Sequence, residues 1–385
     1  MDRKVEQILY ISFNQDNTCF ALGTTIGFRV FFSDPLTERY SRQWNAGVGI
    51  IEMLLRSNIL CIVGGGDLPK YPVNKLMIWD DLRNKCIAEL DCSSNVLSVK
   101  ITKDLVVVTL ANQICIFKLE TLQSIRMIPT TNNSLGLCDM STSNGIANIV
   151  YPSDVMGHLE VATLSSENIV SITAHRGKIS CIAMSLGGSY VASASDTGTI
   201  IRIWSTSDGK CVKEVRRGSD HANIYSMSFN NDASLLCLSS SKGSCHVFKT
   251  GIVQYTSSKN ASLPKSIPSR TVRQSKTGDD VQCASSVPES TVTNRKSYLK
   301  RLSGVLPAYF GSEWSFLQFN SPLCKNVVKF IDRDKDANTS TQMNYPNIIC
   351  VSYDGHYSKI TIDQEPNSTS QCMCNIVQEN NLIAH

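Results

Sequence analysis

Residues 215–218 of this 385-residue chain read Val-Arg-Arg-Gly and follow a strand-like stretch, Cys211-Val212-Lys213-Glu214. Neighbouring side chains on a strand point to opposite sides, so Arg216 and Arg217 are set to serve two ligands rather than one. Alone, an arginine pair reads as a solvated edge; here the flanks change that reading. Upstream lie Ala174-His175-Arg176-Gly177-Lys178, Ser193-Ala194-Ser195 and Gly198-Thr199-Ile200-Ile201-Arg202. Downstream lie Ser219-Asp220-His221 and Ser239-Ser240-Ser241-Lys242-Gly243-Ser244-Cys245-His246. Each arginine therefore has hydroxyls, a histidine and a further base on its own side. Arginine offers phosphate a fork of donors, serine and threonine offer single hydrogen bonds, and a nearby dianion favours charged histidine. The expected chemistry is binding of a phosphorylated ring at two anion sites, back to back.

The elements that hold these residues are short strands in sets of about four, separated by Gly, Asn, Asp and Ser clusters. First strands are expected near Ile8, Ile50, Val96, Leu135, Ile179, Ile224 and Val327. Their spacing fits the period of ~40–45 residues of a four-stranded propeller blade, except that the sixth unit carries about sixty extra residues. The fifth unit is clearest: Ile179-Ser180-Cys181-Ile182-Ala183-Met184, then Tyr190-Val191-Ala192-Ser193-Ala194-Ser195, then Ile200-Ile201-Arg202-Ile203-Trp204. Trp79-Asp80 closes the third strand of the second unit in the same way. The fold class expected is all-β, one seven-bladed WD40-like β-propeller over residues 1–385, with a long, largely disordered loop in blade six.

That loop is an insertion over residues 251–313, where nine Lys/Arg face four Asp/Glu, leaving 28 against 29 in the rest of the chain. Its first part is rich in Ser, Thr, Lys, Asn and Pro, a composition that buries too little apolar surface to order itself. A short amphipathic segment follows at 296–310, with Leu299, Leu302, Val305 and Leu306 on one helical stripe and Tyr309 and Phe310 just beyond. Two uses of the stripe compete: docking on the side of the propeller, or insertion into a lipid interface. Insertion needs a second membrane signal beside it, and paired anion sites would supply one.

Composition bounds the remaining classes. Hydrophobic residues make up 42% of the chain and the formal charge is +4. The 15 cysteines are scattered singly through apolar stretches, with no CxxC pair and an odd total, which reads as buried free thiols in a reducing compartment. No signal-peptide core and no apolar run of membrane-spanning length is present. An intracellular protein with only peripheral membrane contact is expected, and sequons such as Asn132-Asn133-Ser134 read as chance matches.

With these motifs in hand, the sequence resembles the PROPPIN family, WIPI-like seven-bladed propellers that bind polyphosphoinositides and act in autophagy and endolysosomal traffic. The resemblance runs through Ser12-Phe13-Asn14-Gln15-Asp16, Gly27-Phe28-Arg29-Val30, Val63-Gly64-Gly65-Gly66 and Asn74-Lys75-Leu76-Met77-Ile78-Trp79-Asp80-Asp81. It continues through Ala174 to Ser180 and the arginine quartet, and ends with Leu306-Pro307-Ala308-Tyr309-Phe310-Gly311 to Phe316. Val215 departs from the Phe or Leu that usually opens the family quartet. The resemblance implies recognition of phosphatidylinositol 3-phosphate and phosphatidylinositol 3,5-bisphosphate. Arg216 would join His175, Ser195, Thr199 and Arg202 at one headgroup; Arg217 would join His221, Ser239, Ser240, Ser244 and His246 at the other. It further implies that Leu299, Leu302, Val305, Leu306, Tyr309 and Phe310 enter the bilayer. Blade surfaces would meet autophagy proteins at autophagosomal precursor, endosomal or vacuolar/lysosomal membranes.

No catalytic residues, metal ligands or cofactor are expected, because no nucleophile, base and orienting group share a motif and the histidines lack metal-ligand spacing. Gly64-Gly65-Gly66 lacks the Gly-Lys-Ser/Thr ending of a phosphate loop and reads as a turn. Nucleic-acid binding is not expected, since residues 251–301 have little aromatic interleaving. A monomer in solution is expected. The rival reading is a WD-type scaffold that binds only proteins, with the arginines forming a rim patch.

Overall fold

The computed structural model describes residues 5–143, 145–252, 293–295, 313–333, 345–364 and 372–383. Among them the structure is all-β, with seven sheets, each built on four antiparallel strands in chain order from the first outward. Neighbouring sheets pack against one another, and the ring closes where Ile8–Phe13 meets Asn326–Ile331. The chain is a seven-bladed β-propeller.

Blades begin at Ile8, Val48, Ser98, Asp139, Ile179, Ile224 and Asn326, within two residues of expectation in six cases. The fourth is a correction: its strand starts at Asp139, four residues after Leu135. Asn133 captures the intervening turn, accepting from the Leu137 amide and donating to the Leu137 carbonyl, both at 2.9 Å. Leu135 is left on the linker, 56% exposed. The Gly64-Gly65-Gly66 run is a tight passage and no phosphate loop: a Cβ on Gly64 would stand 1.7 Å from the Tyr71 carbonyl oxygen.

Strand alternation sends one face of each blade toward the preceding blade and the other toward the next. Ile201, Ile203 and Val215 of blade five pack with Leu236, Leu238 and Phe248 of blade six. On the opposite face Val191 and Trp204 pack with Val150, Leu159 and Val161 of blade four. The described cysteines are free, and Cys237, Cys245 and Cys350 lie buried in the core between blades six and seven, as expected for thiols used as small apolar side chains.

Blade six departs from a simple repeat. Its outer strand, Leu317–Asn320, comes from beyond the insertion, and just before it Glu313–Trp314 adds a fifth, parallel strand to blade five. Part of the insertion is held as well: Asn294, 3% exposed, donates to the Lys249 carbonyl (2.7 Å) and to Glu313 (3.1 Å) while accepting from the Lys249 amide (2.8 Å). Leu299, Leu302, Val305, Leu306, Tyr309 and Phe310 lie outside the described residues, as do residues 334–344.

Two features of the ring bear on stability. The first is the seam between blades one and seven, where no strand is exchanged among the described residues. Side chains close it instead: Tyr357 Oη donates to the Ser33 carbonyl (2.8 Å), Arg29 to the Leu382 carbonyl (2.6 Å), Asn17 to the Phe330 carbonyl (3.1 Å), and Lys359 meets Asp34 (2.5 Å). The second is a central cavity of about 420 Å³ lined by Glu52, Lys100, Asp139 and Lys329. Glu52, 4% exposed, meets Lys100 at 3.5 Å and accepts from Tyr10 Oη at 3.1 Å. Burial pushes the Glu52 carboxyl upward, whereas the attraction of Glu52 holds Lys100 protonated.

Candidate functional site

Arg216 is the last residue of the outer strand Cys211–Arg216, and Arg217 the first beyond it. Val215 between the strand's polar residues is fully buried against blade six, so Arg216 must face the other way, toward blade four. Registration builds the rest of that face. Ser193, Arg202 and Glu214 stand opposite one another across three strands, and Ser195 and Arg216 lie two residues further along. Arg216 carries its guanidinium 5.5 Å from the centroid of Trp314, on the added fifth strand.

Arg217 turns into the junction of blades five and six. Its amide donates to the Thr199 carbonyl (2.9 Å), its Nε to the Gly198 carbonyl (3.0 Å), and its Nη2 to the Asp220 carbonyl. Opposite stands His246 on Ser244–Lys249, sharing a face with Leu238 and Phe248, and the Arg217 charge acts on it. The two arginines, each 6% exposed, thus occupy successive blade junctions with blade five between them.

The remaining candidates divide by face. In the first junction, Arg202 donates to Glu214 (2.9 Å) and the Ala174 carbonyl (2.8 Å) and stands 3.4 Å from His175 Nδ1. An acceptor role at Nδ1 leaves Nε2–H to donate to Ser193 Oγ (2.9 Å), which also accepts from Trp204 Nε1 (2.9 Å). His175 is therefore a brace tying the loop that bears it to two strands of blade five. Ser195 Oγ is paired with Thr197 Oγ1 (2.9 Å). Thr199 is half-buried, and its carbonyl serves Arg217 rather than Arg216.

In the second junction Ser240 Oγ is 3.4 Å from Ser244 Oγ, Ser244 Oγ is 3.1 Å from His246 Nε2, and His246 Nδ1 is 3.1 Å from Ser315 Oγ. His221 is exposed on the loop after Arg217. Ser239 is set apart. Adjacent to Ser240 on the strand, it points to the opposite face beside Cys245, fully buried, and cannot share a ligand with Ser240 and Arg217. Reading the sequence alone missed Ser193, Thr197, Trp204, Trp314 and Ser315. Ser193 and Trp204 carried a signal, alternation along strands already assigned; Thr197 lies in the turn after Ser195, and Trp314 and Ser315 reach the site only through a long-range return of the chain.

The electrostatics set the resting state of the two histidines. Burial first, then the Arg202 charge, pushes His175 down to about 4; burial and Arg217 push His246 to about 4. Both rings are neutral near pH 7, and a dianion must overcome desolvation before either becomes charged. A stability effect follows. An unfolded histidine binds its proton near pH 6.5, the folded ones near 4, so the unfolded state holds more protons between those values. Stability from this source is complete above about pH 6.5 and is lost as pH falls toward 4, by at most about 3 kcal/mol per ring. Urea midpoints at pH 7.5, 5.5 and 4.5 should fall in that order, and His246→Asn should flatten the decline. An acid profile unchanged by that substitution would show that His246 is not held neutral.

A comparison with known proteins now fits this geometry. The PROPPIN family model matches residues 8–267. The chain belongs to the PROPPIN family. Among PROPPIN relatives, SVP1-like protein 2 of Pichia angusta is 34% identical over 321 residues, covering 81% of this chain and 80% of the relative. Autophagy-related protein 18 of Dictyostelium discoideum is 37% identical over 268 residues, covering 69% and 70%. The crystal structure of Kluyvelomyces marxianus Hsv2 superposes with a TM-score of 0.70 over 98% of this chain and 100% of its own, at 20% identity, which shows the common fold. As a PROPPIN, the chain is an autophagy-related phosphoinositide-binding β-propeller. Among the described residues no helix is long and apolar enough to cross a membrane, and no cluster of His, Cys, Asp and Glu is arranged to hold a metal ion.

Proposed function

We propose that this PROPPIN is a membrane-recruitment protein that recognises phosphatidylinositol 3-phosphate and phosphatidylinositol 3,5-bisphosphate with one headgroup in each of the two junctions. The reading rests on Arg216 and Arg217, which lie on opposite sides of blade five, each with hydroxyls in its own junction. Arg216 works with Ser195, Thr197 and Arg202; Arg217 works with Ser240, Ser244 and His221. His175 and His246 position the strands as neutral rings. Ser239 has no direct part. Two weak sites on one rigid ring gain from effective concentration once the first is filled, so membrane binding is tight although each headgroup is held loosely. The insertion carrying Leu299, Leu302, Val305, Leu306, Tyr309 and Phe310 adds an apolar contact, and its Lys and Arg residues add about 1 kcal/mol each at best near an anionic surface. Chemistry is not required: the protein detects a lipid, settles on an autophagosomal, endosomal or vacuolar membrane, and offers its blades to autophagy proteins.

Flotation with vesicles carrying each phosphoinositide in turn tests this. Binding should appear with 3-phosphate and 3,5-bisphosphate lipid and persist at 0.3 M salt, because desolvated contacts are screened less than exposed ones. Equal flotation with vesicles lacking phosphoinositide, or none with any lipid, would favour a scaffold that binds only proteins.

A further inference from the structure

The turns between second and third strands in blades four, five and six are equivalent: each ends in a glycine of positive φ, at Gly157 (+79°), Gly198 (+60°) and Gly243 (+67°). Their tips differ. Blade five presents Asp196-Thr197 and blade six Ser241-Lys242, both polar, whereas blade four presents Val155-Met156. Val155 is 52% exposed and Met156 69% exposed, and Leu135 on the neighbouring linker is 56% exposed across a groove of about 230 Å³. The turn is held rigidly: Val155 accepts from the His158 amide (3.0 Å) and Ser153 donates to the His158 carbonyl (3.1 Å). No covering element packs on these three side chains among the described residues.

This tip adjoins the first headgroup junction. The Gly157 carbonyl accepts from the amides of Ala174 (3.0 Å) and His175 (2.8 Å), and a Cβ on Gly157 would come within 2.0 Å of the His175 oxygen. The turn therefore cannot move independently of the loop that bears His175. Arg176 and Lys178 on that loop are exposed beside it, against one exposed carboxylate on the turn, Asp154, which accepts from Ser153 Oγ. A projecting pair of aliphatic side chains with cations beside a headgroup pocket has the layout of an interfacial contact.

We propose that Val155, Met156 and Leu135 form a lipid contact on blade four, entering the membrane interface next to the headgroup held by the first junction. The proposal rests on the lipid-binding reading above. It gives the propeller an apolar foothold at the opposite end of the site pair from the blade-six insertion. Such a foothold restricts tilting of the ring.

The test uses the full chain with phosphatidylcholine vesicles containing phosphatidylinositol 3-phosphate, alongside the soluble headgroup inositol 1,3-bisphosphate. Val155→Asp with Met156→Asp should weaken vesicle binding about 10-fold or more and leave soluble-headgroup affinity within twofold. Unchanged vesicle affinity overturns the proposal and returns the tip to the protein-facing surface. If the wild type binds neither probe, the lipid reading itself fails, which is a different result. Should the double variant lose headgroup binding through misfolding, Met156→Trp decides: its emission should be quenched by brominated acyl chains, and absence of quenching overturns the proposal.

Discussion

Replacing Arg216 and Arg217 together by Thr should abolish flotation with 3-phosphorylated lipid, a loss of at least about 100-fold in apparent affinity. A charge-assisted bond to phosphate contributes about 1.5–3 kcal/mol, and the double variant removes one such group from each junction, so the gain from linked sites vanishes with them. The single variants should differ. Arg216 packs over Trp314 and terminates a strand, so Arg216→Thr removes a ligand contact together with that packing. Arg217 also closes the chain reversal by donating to the Gly198 and Asp220 carbonyls, so Arg217→Thr should cost about 1–3 kcal/mol of stability as well. Flotation and urea unfolding on the same preparations separate the two effects. A folded double variant that still floats would end the two-junction interpretation.

Lys100→Met should be the most destabilising single change in the central cavity, by about 2–4 kcal/mol. Removing one partner strands the charge of the other, and for a fully buried pair the loss is about 3–5 kcal/mol. Lys100 is 32% exposed to the cavity, which places the expectation lower. Glu52, whose carboxyl burial already pushes upward, would be pushed further toward its protonated form once the Lys100 charge is gone. Glu52→Gln in the same chain should recover most of the loss, and lipid binding should be unaffected because the cavity lies apart from both junctions. A Lys100→Met protein as stable as wild type in urea would show that the pair is not coupled.

Much of the ring was legible because its repeat is strict. Ile8, Ile179 and Ile224 open their blades as the spacing predicts. Leu135 misled because apolar residues on a linker imitate a strand start, and only the side-chain capture by Asn133 shows where the chain turns. The divergence of Arg216 and Arg217 was readable from strand alternation, since Val215 had to face the core. The same rule separates Ser239 from Ser240, yet adjacent serines look interchangeable until registration with Ser244 and Cys245 assigns their faces. His175 and His246 had the right composition for phosphate ligands. Their neutrality comes from burial and from neighbouring arginines, which depend on three-dimensional packing. Trp314 and Ser315 arrive from beyond a long insertion, a distance over which local pattern carries no information.

The unlaced seam between the first and last blades has a consequence for how the ring is wired. Arg29 touches Glu6 at 3.8 Å and the Leu382 carbonyl at 2.6 Å, so both extremities of the propeller sit beside one guanidinium. With no ladder crossing that boundary among the described residues, it is held by side-chain packing and hydrogen bonds, whereas the boundary of blades five and six is also bridged by Glu313–Trp314. Blade order is then mechanically cyclic: a permuted gene, joined by a short linker there and cut at another inter-blade loop, would present the same pair of junctions.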